Sequence, residues 1–342
     1  MKRLLLTIVL LLNLNFIMND TAYAEETSEK SAGGYTIEGI PNSHQIDPDS
    51  GYFDLAESPG EKDQLKIKIV NESNHEKKMS ITVTNGNTNS NGLVDYTGEL
   101  KDHSSLINPL KSILKATEDT VIVSPNSEKE VILDLTMPEE QFDGIILGGI
   151  QFSDITNASD KNQKTSIENK YVYTLGVVIK NDPKTETYKN ISVVLEDVQS
   201  KLSYGRKIVQ ANLLNENPYI LGKATVEGTI VDEKTNKIVQ EQQKENVSIA
   251  PHSIYPFQFD WKKEEIKPGN YIFKGKAETK DNKWEFTKKF TITKKQANTL
   301  NKNTVFKVSI PYWLQICSVV FSMLMVISSG WLIYRKHKRG VS

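Results

Sequence analysis

Between Lys307 and Arg335 the chain carries no charged residue. A lone segment in hydrocarbon can satisfy its own backbone only as a helix, and about 20 apolar residues cross about 30 Å of hydrocarbon. Ile310-Pro311-Tyr312-Trp313-Leu314 opens the stretch and Val319-Val320-Phe321-Ser322-Met323-Leu324-Met325-Val326-Ile327 fills its middle. Tyr312 and Trp313 at one end, and Trp331 and Tyr334 at the other, stand where amphipathic rings favour the headgroup level. Arg335, Lys336, Lys338 and Arg339 follow, so the positive-inside rule places the tail 335–342 in the cytoplasm and all that precedes 308–334 outside the cell membrane. No LPxTG-like pentapeptide precedes the span, which predicts a retained single-pass helix and not a sortase signal.

The first 24 residues read as a secretory signal peptide. Lys2 and Arg3 precede an apolar run from Leu4, and Ala22-Tyr23-Ala24 offers small residues at the positions a signal peptidase reads. No cysteine follows the cleavage site, which argues against a lipoprotein. The near-neutral whole-chain charge of −1 hides an asymmetry. Setting aside Lys2, Arg3 and the four tail cations from 42 Lys+Arg, and Asp20 from 43 Asp+Glu, leaves 36 against 42, about −6 for residues 25–307. An acidic body argues against nucleic acid as a partner and against electrostatic capture of anionic wall polymers. The one cysteine, Cys317, lies inside the span, where it reads as apolar filler and not as an acylation site. The ectodomain therefore has no disulfide, although an exported compartment would permit one.

The ectodomain reads as strands. Leu65-Lys66-Ile67-Lys68-Ile69 alternates strictly, as do Met79 to Thr84 and Val131 to Met137, with Val131, Leu133, Leu135 and Met137 inward. Further strands are expected over 145–152, 171–179, 191–198, 208–214, 224–231, 255–259, 271–277 and 284–293, separated by turns such as Asn91-Gly92 and Pro268-Gly269-Asn270. About a dozen short strands predict an all-β chain of two antiparallel β-sandwiches. A short helix is expected within 108–119, on the stripe Leu110, Ile113 and Leu114. An internal echo links Val123-Ser124-Pro125-Asn126-Ser127 to Ile249-Ala250-Pro251-His252-Ser253, as two sandwiches of similar topology would show, or as chance similarity between Pro-rich turns would. The boundary has two readings. The polar stretch 156–169 is the linker, or 145–152 and 171–179 form a hairpin across it and the linker is 181–189.

The motifs of enzymes are missing: there is no G-x-S-x-G elbow, P-loop or G-x-G-x-x-G. His44, His75, His103 and His252 are not spaced as metal ligands. No catalytic, cofactor or metal residue is therefore expected, and no enzyme. Asp47, Asp49 and Asp54 read as a solvated turn before a strand and not as a calcium loop. Gly148-Gly149 in a strand-like run marks a bulge or a close backbone approach in preference to a ligand groove. Tyr52, Phe53 and Trp284 could stack on sugars, but core anchoring is the preferred reading.

Several strings resemble those of the WxL-interacting protein family of Gram-positive bacteria. In the first half they are Pro41-Asn42-Ser43-His44-Gln45, Gly51-Tyr52-Phe53-Asp54-Leu55, Pro59-Gly60, Pro125-Asn126-Ser127, Met137-Pro138 and Phe142-Asp143-Gly144-Ile145-Ile146-Leu147-Gly148-Gly149-Ile150. In the second half they are Asn215-Glu216-Asn217, Ile220-Leu221, Gly228-Thr229-Ile230, Ala250-Pro251-His252-Ser253, Pro268-Gly269-Asn270-Tyr271 and Trp284-Glu285-Phe286. The resemblance implies an immunoglobulin-like domain of peptidoglycan-binding type over 35–155, which the strand 171–180 could complete. A second immunoglobulin-like domain, of host-binding type, is implied over 166–297. It further implies a non-enzymatic surface protein whose partners are peptidoglycan, WxL-domain surface proteins and, as an alternative, a host extracellular-matrix protein. It assigns no binding residue, because the matching glycines, prolines and aromatics are those a sandwich needs anyway.

Overall fold

The structure is a computed structural model that describes residues 31, 33–156, 171–306 and 312–339. The expected signal peptide and most of the polar stretch 156–169 lie outside the described residues. Strands in the first part are β1 (Tyr35–Ile40), β2 (Phe53–Ala56), β3 (Lys62–Asn71), β4 (Lys77–Asn85), β5 (Asn87–Thr88) and β6 (Val94–Asp95). A single turn of helix, α1 (Leu110–Ile113), precedes β7 (Leu114–Ala116), β8 (Thr120–Val123), β9 (Ser127–Thr136), β10 (Ile146–Asp154) and β11 (Val172–Lys180). The second part holds β12 (Val194–Ser203), β13 (Arg206–Asn215), β14 (Leu221–Asp232), β15 (Ile238–Ile249), β16 (Ser253–Asp260), β17 (Gly269–Glu278) and β18 (Lys283–Ile292). Two helices follow, α2 (Lys294–Asn303) and α3 (Tyr312–Arg339).

The first compact unit faces a sheet of order β1-β3-β9-β7 with one of order β2-β11-β10-β4-β8. Strict alternation drives it. Leu65, Ile67 and Ile69 on β3 and Val131, Leu133 and Leu135 on β9 are buried, and they meet Phe53, Ile150, Phe152, Val177 and Ile179 of the other sheet in one apolar core. β10 and β11 pair antiparallel from Ile146↔Ile179 to Ser153↔Val172, and this unit runs to Thr185. The second unit faces β12-β13-β16 with β15-β14-β17-β18 over a core rich in Tyr255, Phe257, Phe259 and Phe273. It also contains residues 87–95 and 100–106, and there Thr88 Oγ1 accepts a hydrogen bond from the Ala250 amide at 2.9 Å. Helix α2 closes it: Thr293 and Gln296 form a capping box, and Ala297 and Leu300 are buried.

The two units repeat one seven-strand plan. β1-β3-β9 corresponds to β12-β13-β16, and β8-β4-β10-β11 to β15-β14-β17-β18, in the same chain order. This is the two-sheet, mainly antiparallel architecture of immunoglobulin-like domains. The internal echo has a physical cause in this plan. Asn71 pairs with Ser127 and Asn215 with Ser253 at the ends of equivalent strands. Asn71 Nδ2 donates to the carbonyls of His75, Val123 and Ser124 at 2.7, 3.1 and 3.0 Å. Asn215 Nδ2 donates to those of Tyr219, Ile249 and Ala250 at 2.8, 3.1 and 3.1 Å. In each Pro-x-Ser turn the middle residue is left-handed, Asn126 at φ 47° and His252 at φ 50°. The echoed strings are the turns that these two buried amides pin.

Two readings need correction, and one long strand carries no pattern to read. Residues 108–119 are not one helix; the turn α1 gives way at Leu114 to β7, which pairs with β9. The strand expected from Ile191 begins at Val194, and Ile191 is exposed. β15 shows no alternation in Ile238-Val239-Gln240-Glu241-Gln242-Gln243-Lys244-Glu245, because it is an edge strand with both faces largely solvated. Its charges and its three register shifts against β14 guard that edge from pairing with another chain.

Candidate functional site

The residues that come together with ligand-like chemistry lie at one end of the first unit. After β1 the chain turns at Asn42, whose Oδ1 accepts from the His44 amide at 3.0 Å. It then runs back beside β2, where the Ala56 amide donates to the His44 carbonyl at 3.0 Å. β2 pairs parallel with β11, and the Glu57 amide continues that pairing by donating to the Lys180 carbonyl at 2.9 Å. Asn181 Nδ2 donates to the Glu57 carbonyl at 2.9 Å, so the Glu57 backbone is held on both sides. Ser58-Pro59-Gly60-Glu61 is a type II turn: Glu61 N donates to Ser58 O at 3.2 Å, and Gly60 sits at φ 70°, where glycine alone is unstrained. Asp63 then enters β3 opposite Leu135.

These constraints converge on His44. Its Nδ1 lies 3.3 Å from Glu57 Oε2 and 3.1 Å from Asp63 Oδ2, and its Nε2 lies 3.3 Å from Glu61 Oε1. One ligand atom each from His44, Glu57 and Glu61 fall within 4.8 Å of one another, a spacing that could hold a metal ion. The Glu57 side chain is 0% exposed. Burial pushes its carboxyl up to about 8; His44 opposes this, and Asp63 and Glu61 add to it. The His44 imidazole is raised, first by its hydrogen bond with Asp63, against burial and with help from Glu57 and Glu61.

Two grooves border this end of the unit. One, of about 460 Å³, is lined by Gln45, Asp49, Ser50 and Tyr52. The other, of about 730 Å³, is lined by Asn42, Asp63, Gln64, Lys66 and Asp134. Tyr52 is 42% exposed, which corrects its reading as a core anchor, whereas Phe53 is buried and Trp284 packs half-buried on the core of the second unit. Asp47 and Asp49 form an exposed turn, with the Asp49 amide donating to Asp47 Oδ1 at 3.1 Å. Asp54 does not belong to it: its carboxylate lies 3.0 Å from Lys180 Nζ in a nearly buried pair. Gly148 is a close backbone approach. A Cβ there would stand 2.2 Å from the Thr84 carbonyl oxygen and 2.5 Å from Leu110 Cδ2. His75 is exposed, and His103 meets Glu196 at 3.2 Å. Sequence spacing conceals the His44 cluster, because its members come from a loop, a strand end, a turn and a second strand. Only Pro59-Gly60 announces the turn that delivers Glu61.

Comparison with known proteins follows the same division. The family model described as WxL Interacting Protein, peptidoglycan binding domain, matches residues 35–154, and that described as WxL Interacting Protein, host binding domain, matches residues 162–302. No curated protein matches the chain by sequence. Similar solved structures include the E. coli chaperone DraB (12% identity, 71% of this chain and 96% of that chain, TM-score 0.29). Others are the Pseudomonas aeruginosa CupB2 chaperone (13%, 67% and 92%, TM-score 0.26) and a PapD-like domain of human CEP192 (10%, 44% and 85%, TM-score 0.27). Similarity at that level carries no argument, and the fold rests on the strand order above. The two family models together span most of the chain in the order its motifs suggest, and the chain belongs to the WxL-interacting protein family.

Proposed function

We propose that this chain is a non-enzymatic, membrane-anchored cell-surface protein of a Gram-positive cell whose first unit binds peptidoglycan and which acts beside WxL-domain surface proteins. The observation that carries the reading is the pair of family matches, both to binding domains. Helix α3 supports the anchor: Tyr312–Leu332 contains an 18-residue window of mean hydropathy 1.7 and is long and apolar enough to cross a membrane. Exposed Tyr312, Trp313 and Trp331 suit the two interfaces. The ectodomain then faces outward, with the basic tail inside. For a glycan ligand, Tyr52 beside Gln45, Asp49 and Ser50 offers an aromatic face with hydrogen-bonding groups around it.

The test is retention of the full-length chain, in detergent, on purified sacculi and on immobilised WxL-domain proteins. Retention on both is expected; retention on neither ends the proposal. A second reading, an adhesin for a host extracellular-matrix protein, is favoured by the host-binding family model over 162–302. Binding to immobilised matrix proteins without binding to sacculi would put it first.

A further inference from the structure

We propose that His44, Glu57 and Asp63 bind one divalent transition-metal ion, Zn²⁺ or Mn²⁺, with Glu61 as the positioning carboxylate behind the histidine. This does not depend on what the first unit binds at the cell wall.

Two of the ligand separations, both to His44 Nδ1, have the required length. Ligands at about 2.0–2.1 Å from a tetrahedral ion stand about 3.3–3.4 Å from each other. The His44 Nδ1 to Glu57 and His44 Nδ1 to Asp63 distances are 3.3 and 3.1 Å. The two carboxylates thus flank the same ring nitrogen, and a small outward shift admits an ion among them. The other nitrogen, Nε2, faces Glu61 Oε1 at 3.3 Å, so although His44, Glu57 and Glu61 fall within 4.8 Å of one another, Glu61 stands on the opposite ring nitrogen from an ion held at Nδ1. A metal-bound histidine commonly donates its second ring N–H to a carboxylate, which fixes its tautomer and orientation. Glu61 is itself fixed, because the Ser58 amide donates to its Oε2 at 2.9 Å from within the Pro59-Gly60 turn.

An independent observation points to a missing cation. The Glu57 side chain is fully buried, it aims at His44, and neither of its oxygens accepts a hydrogen bond. Gln45 Oε1 and Ser153 Oγ of this unit also lack a hydrogen bond, but neither is charged, and Asp54 Oδ1, which lacks one too, has Lys180 Nζ at 3.0 Å. A fully buried carboxylate that faces the His44 ring at 3.3 Å with two further carboxylates beside it is in a poor setting, and a bound cation removes that penalty. Asp63 is a prepared second ligand. Its Oδ1 accepts from the Gln64 amide at 2.7 Å and its Oδ2 from Asn42 Nδ2, which hold the carboxylate toward the histidine. The donor set selects the ion class. Oxygen ligands alone suit Ca²⁺ or Mg²⁺, whereas an imidazole nitrogen beside carboxylates favours a first-row transition metal.

The test uses the full-length chain in detergent, stripped with EDTA, freed of chelator and titrated with ZnCl₂, MnCl₂ or CaCl₂. Calorimetry and elemental analysis should give one equivalent of Zn²⁺ or Mn²⁺ per chain, with a rise in the melting temperature. Glu57→Gln and His44→Gln should abolish binding, and Glu61→Gln should weaken it about 10- to 100-fold. Glu57→Gln keeps the side-chain shape without an ionisable carboxyl, so its metal-free form should melt no lower than the wild type. If it does not fold, Asp63→Asn supplies the same readout. No binding of Zn²⁺ or Mn²⁺, a response to Ca²⁺ alone, or binding that survives Glu57→Gln or His44→Gln would overturn the assignment.

Discussion

Asn215 is the place where one side chain holds most of the second unit's turn. It is 0% exposed, and its Nδ2 serves three buried carbonyls while its Oδ1 accepts from the Asn217 amide at 3.2 Å. Asn215→Ala deletes the donors and leaves the carbonyls of Tyr219, Ile249 and Ala250 without them. A typical hydrogen bond contributes about 1 kcal/mol net, and a buried group stripped of its partner costs about 1–3 kcal/mol. Two N–H groups shared over three acceptors give an expected loss of about 3–5 kcal/mol. Asn215→Asp is the sharper probe, because it keeps the shape and the acceptor but donates nothing; it should be at least as damaging as alanine. The assay is denaturant unfolding of the full-length chain followed by tryptophan emission. Of the four tryptophans, Trp261 and Trp284 lie in the second sandwich, Trp313 and Trp331 in α3, and none in the first unit. Asn215→Ala should shift the tryptophan transition. Asn71→Ala should show its comparable loss in the far-ultraviolet dichroism of the first unit, with the tryptophan transition moved less. A loss below about 1 kcal/mol, or an Asn215→Asp variant as stable as wild type, would refute the reasoning that hydrogen bonds, and not shape, hold these turns.

Gly148→Ala should destabilise the first unit by about 3 kcal/mol or more in the same unfolding assay, because the obstructing atom 2.2 Å away is a backbone carbonyl that cannot rotate aside. Thr293→Ala should cost about 1 kcal/mol by removing the capping box of α2, with Thr293→Ser restoring most of it. Tyr35 donates to the carbonyls of Phe152 and Tyr171 at 3.1 and 2.9 Å. Burial, aided by the charges of Asp154 and Tyr173, pushes its phenol up to about 12. Because the folded value is the higher one, this contribution is complete below about pH 10, the unfolded value, and is lost as pH rises toward 12. Tyr35→Phe should therefore lower stability at neutral pH by about 1–2 kcal/mol and flatten the alkaline limb of the first unit's unfolding profile.

The sandwich class was legible wherever one face of a strand is wet. Leu65-Lys66-Ile67-Lys68-Ile69 announces itself because the core takes alternate residues and water takes the rest. β15 did not, since an edge strand with two solvated faces has no alternation to read. β7 did not, because three residues are too few for any period. The repeated Pro-x-Ser turns were visible as similar letters, while the asparagines that explain them stand 52 and 34 residues away from the carbonyls they hold. Tyr52 and Phe53 are neighbours in a strand entry, and only the sheet decides that one is exposed and the other buried.

From composition and pattern alone came the parts that depend on local chemistry. These are an apolar segment with a basic end, a body without disulfides, and two β-sandwiches with a shared motif order. Tertiary structure decided whatever depends on distant segments meeting. It made β11 the partner of β10 across the polar stretch, and it matched the strand orders of the two units. It also brought Glu57, Glu61 and Asp63 around His44. Hydrophobic periodicity is written into neighbouring residues, whereas a ligand set drawn from a loop, a strand end and a turn has no fixed spacing until the sheets are packed.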